Sequence, residues 1–92
     1  MFAFPDDAAW DEEEDAVTFT LRFGEYEGRV FVPRRLFQLR LGSRPTPAQC
    51  VEYFHLNRSD FERTAEARVL ARQLDEDANI HLTGRDLRAL RR

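Results

Sequence analysis

Apolar and polar residues alternate from Ala16 to Val32 with one interruption. Val17, Phe19, Leu21 and Phe23 are separated by Thr18, Thr20 and Arg22, and past Gly24-Glu25 the alternation resumes with Tyr26, Val30 and Val32. A period of two places one set of side chains on one face of a strand, so the stretch predicts a β-hairpin over 16–32. Gly at the first of two turn residues takes a positive φ without a Cβ clash, which favours a two-residue type II′ loop. That loop sets the register. Phe23 falls opposite Tyr26, Leu21 opposite Gly28, Phe19 opposite Val30 and Val17 opposite Val32. The other face pairs Arg22 with Glu27, Thr20 with Arg29 and Thr18 with Phe31. A slip of one residue would turn the apolar set to solvent. Gly28, beneath Leu21, leaves a gap that a helix side chain can fill.

The other elements are placed from this hairpin. Phe2 and Phe4 alternate around Ala3 and can add an edge strand over 2–4, ended by Pro5. Residues 5–15 follow as an acidic loop. Pro33 suits a first helical turn, and Leu36, Phe37 and Leu39 to Leu41 predict one or two turns ending at Gly42. Ser43 to Pro45 is the clearest breaker in the chain. Thr46-Pro47-Ala48-Gln49 is a helix start: Thr46 caps free amides, Pro47 needs no donor, and Gln49 completes a capping box. Ser59-Asp60-Phe61-Glu62 repeats that signature. Yet Cys50, Val51, Phe54, Phe61, Ala65 and Val69 stay on one stripe if a single helix runs from Pro47 to Leu74. The span 47–74 is therefore one helix or two, with a kink near Asn57 to Ser59. Its opposite face collects Glu52, His55, Ser59, Glu62 and Glu66. Asp75 to Asp77 end the helix. Ile80 and Leu82 alternate with His81 in a strand near 79–82 that joins the hairpin sheet. Thr83 then caps a short C-terminal helix, with Asp86 in the capping-box position and Leu87 and Leu90 as its stripe. The expectation is a single α+β domain over 1–92, with a short antiparallel sheet packed against one or two helices.

Composition narrows this picture. The 92 residues are too few for a second core, and a chain of this size buries a modest fraction of its surface, so a homodimer interface would add stability. Charge is abundant and mixed in sign, which argues against disorder. All fourteen basic residues are arginine, spread along the chain, and the net charge is −3, against strong generic affinity for nucleic acid. Residues 1–15 hold seven acids and no arginine, and the remainder holds ten acids and all fourteen arginines. The acidic front is a solvated loop that can fold back on the chain's own arginines. Asp11, Glu13 and Asp15 have the spacing that opens a calcium loop, but Ala16 stands where the turn Gly is needed and Arg22 where the bidentate Glu is needed. A single cysteine, Cys50, excludes an internal disulfide and suits a reducing cytoplasm. The opening Met1-Phe2-Ala3-Phe4-Pro5 has no basic n-region or sustained apolar run, so no secretion signal is expected, and no apolar run approaches spanning length. The expected setting is the cytoplasm, without a membrane partner.

Candidate chemistry is sparse. Cys50 and His55 point in different directions from a helix and His81 stands alone on its strand, which leaves no metal set. Glu52 and His55 share a face but lack the second pair and extra carboxylates of a di-iron site. Cys50 lies on the apolar stripe, where a thiol is an inert hydrophobe. No Gly-rich loop leads from a strand into a helix, so there is no phosphate cradle. No catalytic, cofactor or metal residue is assigned. What remains are interaction candidates: Tyr53, Leu56 and Arg58 in one constellation, and Arg85, Arg88, Arg91 and Arg92 around the last helix. The first suits a protein partner or a second copy of the chain; the second suits weak association with nucleic acid. The expectation is a small non-enzymatic interaction or regulatory module.

The order and spacing of several short motifs resemble a bacterial family known as domain of unknown function 1488. They are Phe4-Pro5 and Trp10-Asp11, Ala16-Val17-Thr18-Phe19 leading to Gly28 and a second strand, and Phe54-x-x-Asn57-Arg58 followed by Phe61-Glu62 and Ala65. Ile80-His81-Leu82-Thr83 and Asp86-Leu87 close the set, so the resemblance covers nearly the whole chain. Phe31 departs from the small residue or Cys usual in the family's second strand, so no shared thiol chemistry is implied. The resemblance implies a small α+β domain with a short antiparallel sheet packed on helices, and no activity.

Overall fold

The hairpin is the centre of the sheet. In the computed structural model, which describes residues 1–90 and only the backbone of Ala89 and Leu90, β3 (Ala16–Phe23) and β4 (Tyr26–Pro33) pair antiparallel. Every partner predicted above is found, from Phe23 opposite Tyr26 to Val17 opposite Val32. Gly24 has φ of 63° while Glu25 keeps a negative φ, as a type II′ loop requires. Val17, Phe19, Leu21, Val30 and Val32 are fully buried on the inner face. The gap above Gly28 is filled from its own strand rather than by a helix. The Tyr26 phenol lies across Gly28 and donates to the Ala78 carbonyl at 2.6 Å, and a Cβ on Gly28 would stand 2.0 Å from that phenol oxygen.

The outer edge of β3 is occupied in two pieces. β1 (Phe2–Ala3) pairs with Phe23 and Arg22, and β2 (Ala9–Asp11) pairs with Thr18, Val17 and Ala16, both antiparallel. The predicted loop over 5–15 therefore contains a strand, because Trp10 needs cover and packs against the core. The Arg34 guanidinium covers its ring at 5.0 Å from the centroid, and the indole Nε1 is buried without a partner. Between the two pieces the chain leaves the edge and Asp7 takes its place. Its carboxylate accepts from the Thr20 amide at 3.0 Å and from the Thr20 hydroxyl at 2.5 Å. Arg29 donates to the Thr18 and Thr20 hydroxyls from the neighbouring strand. Thr18 and Thr20 are buried on the outer face by this polar cover. The acidic front also reaches arginine at Asp6–Arg58 and Asp15–Arg34.

β4 runs into α1 (Arg34–Leu41), which ends where Gly42 adopts φ of 81° and donates to the Gln38 carbonyl at 2.8 Å. The span 47–74 is two helices, α2 (Pro47–Leu56) and α3 (Arg58–Leu70). Thr46 and Gln49 form the capping box of α2. Ser59 caps nothing: the turn falls at Asn57, whose side chain donates to the Tyr53 carbonyl at 3.0 Å. α3 stops four residues before Leu74 because Arg72 turns left-handed at φ 58° and Gln73 donates back to the Arg68 carbonyl. Asp75 then organises a tight loop by accepting from the amides of Asp77 and Asn79.

β5 (Ile80–His81) joins β4 in parallel, at Val30 and Phe31, so the sheet is mixed rather than wholly antiparallel. The helical crossover after β4 returns the chain to the end where β4 began, and a strand reached that way runs in the same direction. α4 (Gly84–Leu90) follows, with Thr83 and Asp86 in a reciprocal cap. Arg68 ties this end together. It donates to the Gln73 and His81 carbonyls and to Asp86 at 2.8 Å, with both charged side chains 18% exposed. In the core an aromatic seam joins the layers: Phe19 of the sheet meets Phe54 at 4.9 Å, Phe54 meets Phe61 at 5.4 Å, and Phe61 meets Phe37 at 5.7 Å. Among the described residues the fold is α+β, five strands against four helices.

Candidate functional site

α1 has only two turns, and its apolar residues cover more of its circumference than the core can take. At about 100° per residue, Leu36 and Phe37 face inward, Leu39 falls about 60° to one side and Leu41 about 40° to the other. Leu36 and Phe37 are buried, while Leu39 is 68% and Leu41 42% exposed. The apolar arc spans about 200°, against the roughly 100° stripe a surface helix needs. α1 is thereby a ridge with a leucine on each shoulder.

On the Leu41 side a concavity of about 260 Å³ is lined by Leu41, Ser43, Gln49, Glu52, Tyr53 and Leu56. Tyr53 is half-buried, edge-on to Phe37 and Phe61 at 6.0 and 6.3 Å. Leu56 stands out from the last turn of α2, 77% exposed. On the Leu39 side a groove of about 220 Å³ runs between α1 and α4, lined by Leu36, Leu39, Arg40, Gly84, Leu87 and Arg88. Gly84 forms its narrow floor: a Cβ there would meet Leu39 at 3.4 Å and the Arg88 guanidinium at 3.6 Å.

Of the residues singled out from the sequence, Tyr53 and Leu56 come together. Arg58 does not join them. Its Nε donates to Glu62 at 2.9 Å and its Nη1 to Asp6 at 3.3 Å, and these carboxylates raise its pKa further against the opposing effect of burial. Arg85 and Arg88 are both exposed but line different hollows. Arg88 faces α1, and Arg85 lines a hollow of about 360 Å³ beside α3 with Thr64, Ala67, Arg68 and Asp86. Arg91 and Arg92 lie outside the described residues. The sequence places Leu39 to Leu41 in a short helix and not among the interaction candidates, although the overwide apolar arc of α1 is legible there.

The titratable groups bear on what chemistry is available. Burial pushes the Cys50 thiol up, so it stays protonated inside the core. His81 Nε2 lies 3.0 Å from Asp75 Oδ2, with the ring stacked on Phe31 at 4.7 Å. The Asn79 and Asp77 amides, with His81, hold Asp75 below the usual carboxylate value. Burial raises Asp7, but Thr20 and Arg29 outweigh it and its pKa is also lowered. Among the described residues, no three His, Cys, Asp or Glu side chains are grouped to hold a metal ion, and no helix is long and apolar enough to cross a membrane.

No curated protein matches the chain. In shape it is similar to the crystal structure of a protein of unknown function from Shewanella loihica, itself of the DUF1488 family. The TM-score is 0.80 at 18% identity, over 88% of this chain and 90% of that one. That likeness concerns the fold. Residues 3–82 match the family described as "Protein of unknown function (DUF1488)", the family the short motifs resemble. The chain belongs to the DUF1488 family of proteins of unknown function.

Proposed function

We propose that this chain is a non-enzymatic interaction module of the bacterial cytoplasm, binding another protein through the α1 ridge and the adjoining end of α2. The observation that carries this reading is the exposure of Leu41 and Leu56 around a half-buried Tyr53, with Leu39 exposed on the other shoulder of α1. Large apolar side chains gathered on one side of a small domain are the ordinary mark of a contact surface. The charges of Asp6, Asp7, Asp15, Arg29, Arg34 and Arg58 are engaged with one another within the chain, and none of them lines the three hollows described above.

A photo-crosslinking amino acid placed at Leu56, and separately at Glu25 on the hairpin tip, tests this in cells. Crosslinks from position 56 that are absent from position 25 are expected. Their mass distinguishes a different protein from a second copy. Equal yields at the two positions, or none at position 56, would overturn the reading. A second reading, weak nucleic-acid association through Arg85 and Arg88, rests on their exposure beside the last helix. It requires binding that weakens steeply with salt.

A further inference from the structure

We infer that the groove between α1 and α4 is a docking site for an acidic peptide segment that carries an apolar anchor residue. This rests on the interaction reading above and supplies the chemistry of the partner. The groove has an apolar floor, Leu36, Leu39 and Leu87, and a cationic rim, Arg40 and Arg88. Leu36 and Leu87 are buried beneath it while Leu39 is 68% exposed, so the floor is a ledge rather than a sealed core. At Gly84 the missing side chain lets Leu39 and the Arg88 guanidinium approach the floor, where a Cβ would meet them at 3.4 and 3.6 Å.

Neither rim arginine lies within 4 Å of a carboxylate among the described residues. Six of the twelve arginines among the described residues meet an acid or a carbonyl; of the six that do not, Arg40 and Arg88 line this one groove together. Guanidinium groups select carboxylates through paired N–H donors, and an apolar strip between them selects a side chain of leucine type. Size favours the same occupant. The groove, at about 220 Å³, is smaller than the roughly 300–1,000 Å³ typical of cofactor and drug-sized sites, and it suits a single anchoring side chain.

Two alternatives fit less well. A second copy presenting the same groove would set arginine against arginine. Single-stranded nucleic acid is held by aromatic stacking platforms as well as charge, and this floor is built of leucine.

The probe is a displayed library of random peptides, selected on the wild-type protein and counter-selected on the Arg40→Gln/Arg88→Gln variant, in which charge is removed from two surface positions. Enrichment of peptides with Asp or Glu flanking Leu, Ile or Phe is expected. Their affinity should fall about tenfold on the double variant, the loss of two partly exposed charge pairs, and fall again on Leu39→Ser. Binding should weaken with salt. Circular dichroism of each variant confirms that the fold is kept. The inference is overturned if no peptide is enriched, if the enriched peptides lack acids, or if they bind the variants equally well. Arginine-dependent binding of a single-stranded oligonucleotide in place of peptide would also overturn it. A position-56 crosslink that persists in any of these cases leaves the interaction reading standing while removing this groove from it.

Discussion

Asp7 replaces a missing strand partner, and its titration is therefore coupled to stability. Its pKa in the folded chain is lowered because Thr20 and Arg29 outweigh the effect of burial. A carboxyl lowered on folding contributes stability above its unfolded pKa, and that contribution is lost as pH falls through the folded value. Urea unfolding of the wild type should show a midpoint that drops as pH falls below about 4, the ordinary carboxylate range. Asp7→Asn should flatten that dependence without abolishing it, because Asp75 is lowered as well and acts in the same window. At neutral pH, Asp7→Ala should cost about 1–2 kcal/mol, the penalty for leaving the part-buried Thr20 amide without an acceptor. None of this is visible in the sequence, where Asp7 is one of seven acids in the front segment. Its role depends on the gap between β1 and β2, a feature of pairing across sequence. The hairpin register, by contrast, follows from a local turn and a local alternation, and was legible residue by residue.

At the scale of elements, the Ser/Thr-x-x-acid or amide signatures at Thr46 and Ser59 have different fates. Thr46 caps α2 with both reciprocal bonds present. Ser59 lies inside α3, because Asn57 alone separates the two helices and the Asp60 amide already donates to the Asn57 carbonyl. Thr46→Ala should lower stability by about 1 kcal/mol, and Ser59→Ala should change it little, since no cap is lost there. Chemical denaturation of the pair measures both. The break falls at Asn57, inside the predicted span Asn57 to Ser59, but periodicity does not choose between one helix and two: one non-helical residue barely rotates the stripe. The direction of β5 was equally hidden. A two-residue strand has no pattern of its own, and only the path of the crossover decides how it lies against β4. In the candidate surface, Tyr53 and Leu56 were legible as leftovers from the α2 core stripe. The pairing of Arg58 with Asp6 and Glu62 is not legible in the same way, because these partners converge from two segments.

Across the whole molecule, one aromatic seam connects sheet and helices, so its loss should be felt as a single event. Phe54 touches Phe19 and Phe61 and is fully buried. Phe54→Ala should cost about 3–5 kcal/mol, a large share of the roughly 5–15 kcal/mol that holds a domain of this kind together. Hairpin and helices should then lose structure in one transition, with coincident fluorescence and circular-dichroism curves at a lower midpoint. The parallel rung at Ile80 has a further consequence, one of timing. The hairpin can close as soon as its two strands have left the ribosome, but the exposed side of β4 waits for some fifty more residues, from Val30 to Ile80, before its neighbour is synthesised. Throughout that interval a nascent chain displays a bare strand edge to every other chain nearby. The 75–79 loop, which seals the rest of that edge by accepting from the Tyr26 phenol and the Arg29 amide, arrives together with Ile80, so protection during translation is gained late and nearly all at once.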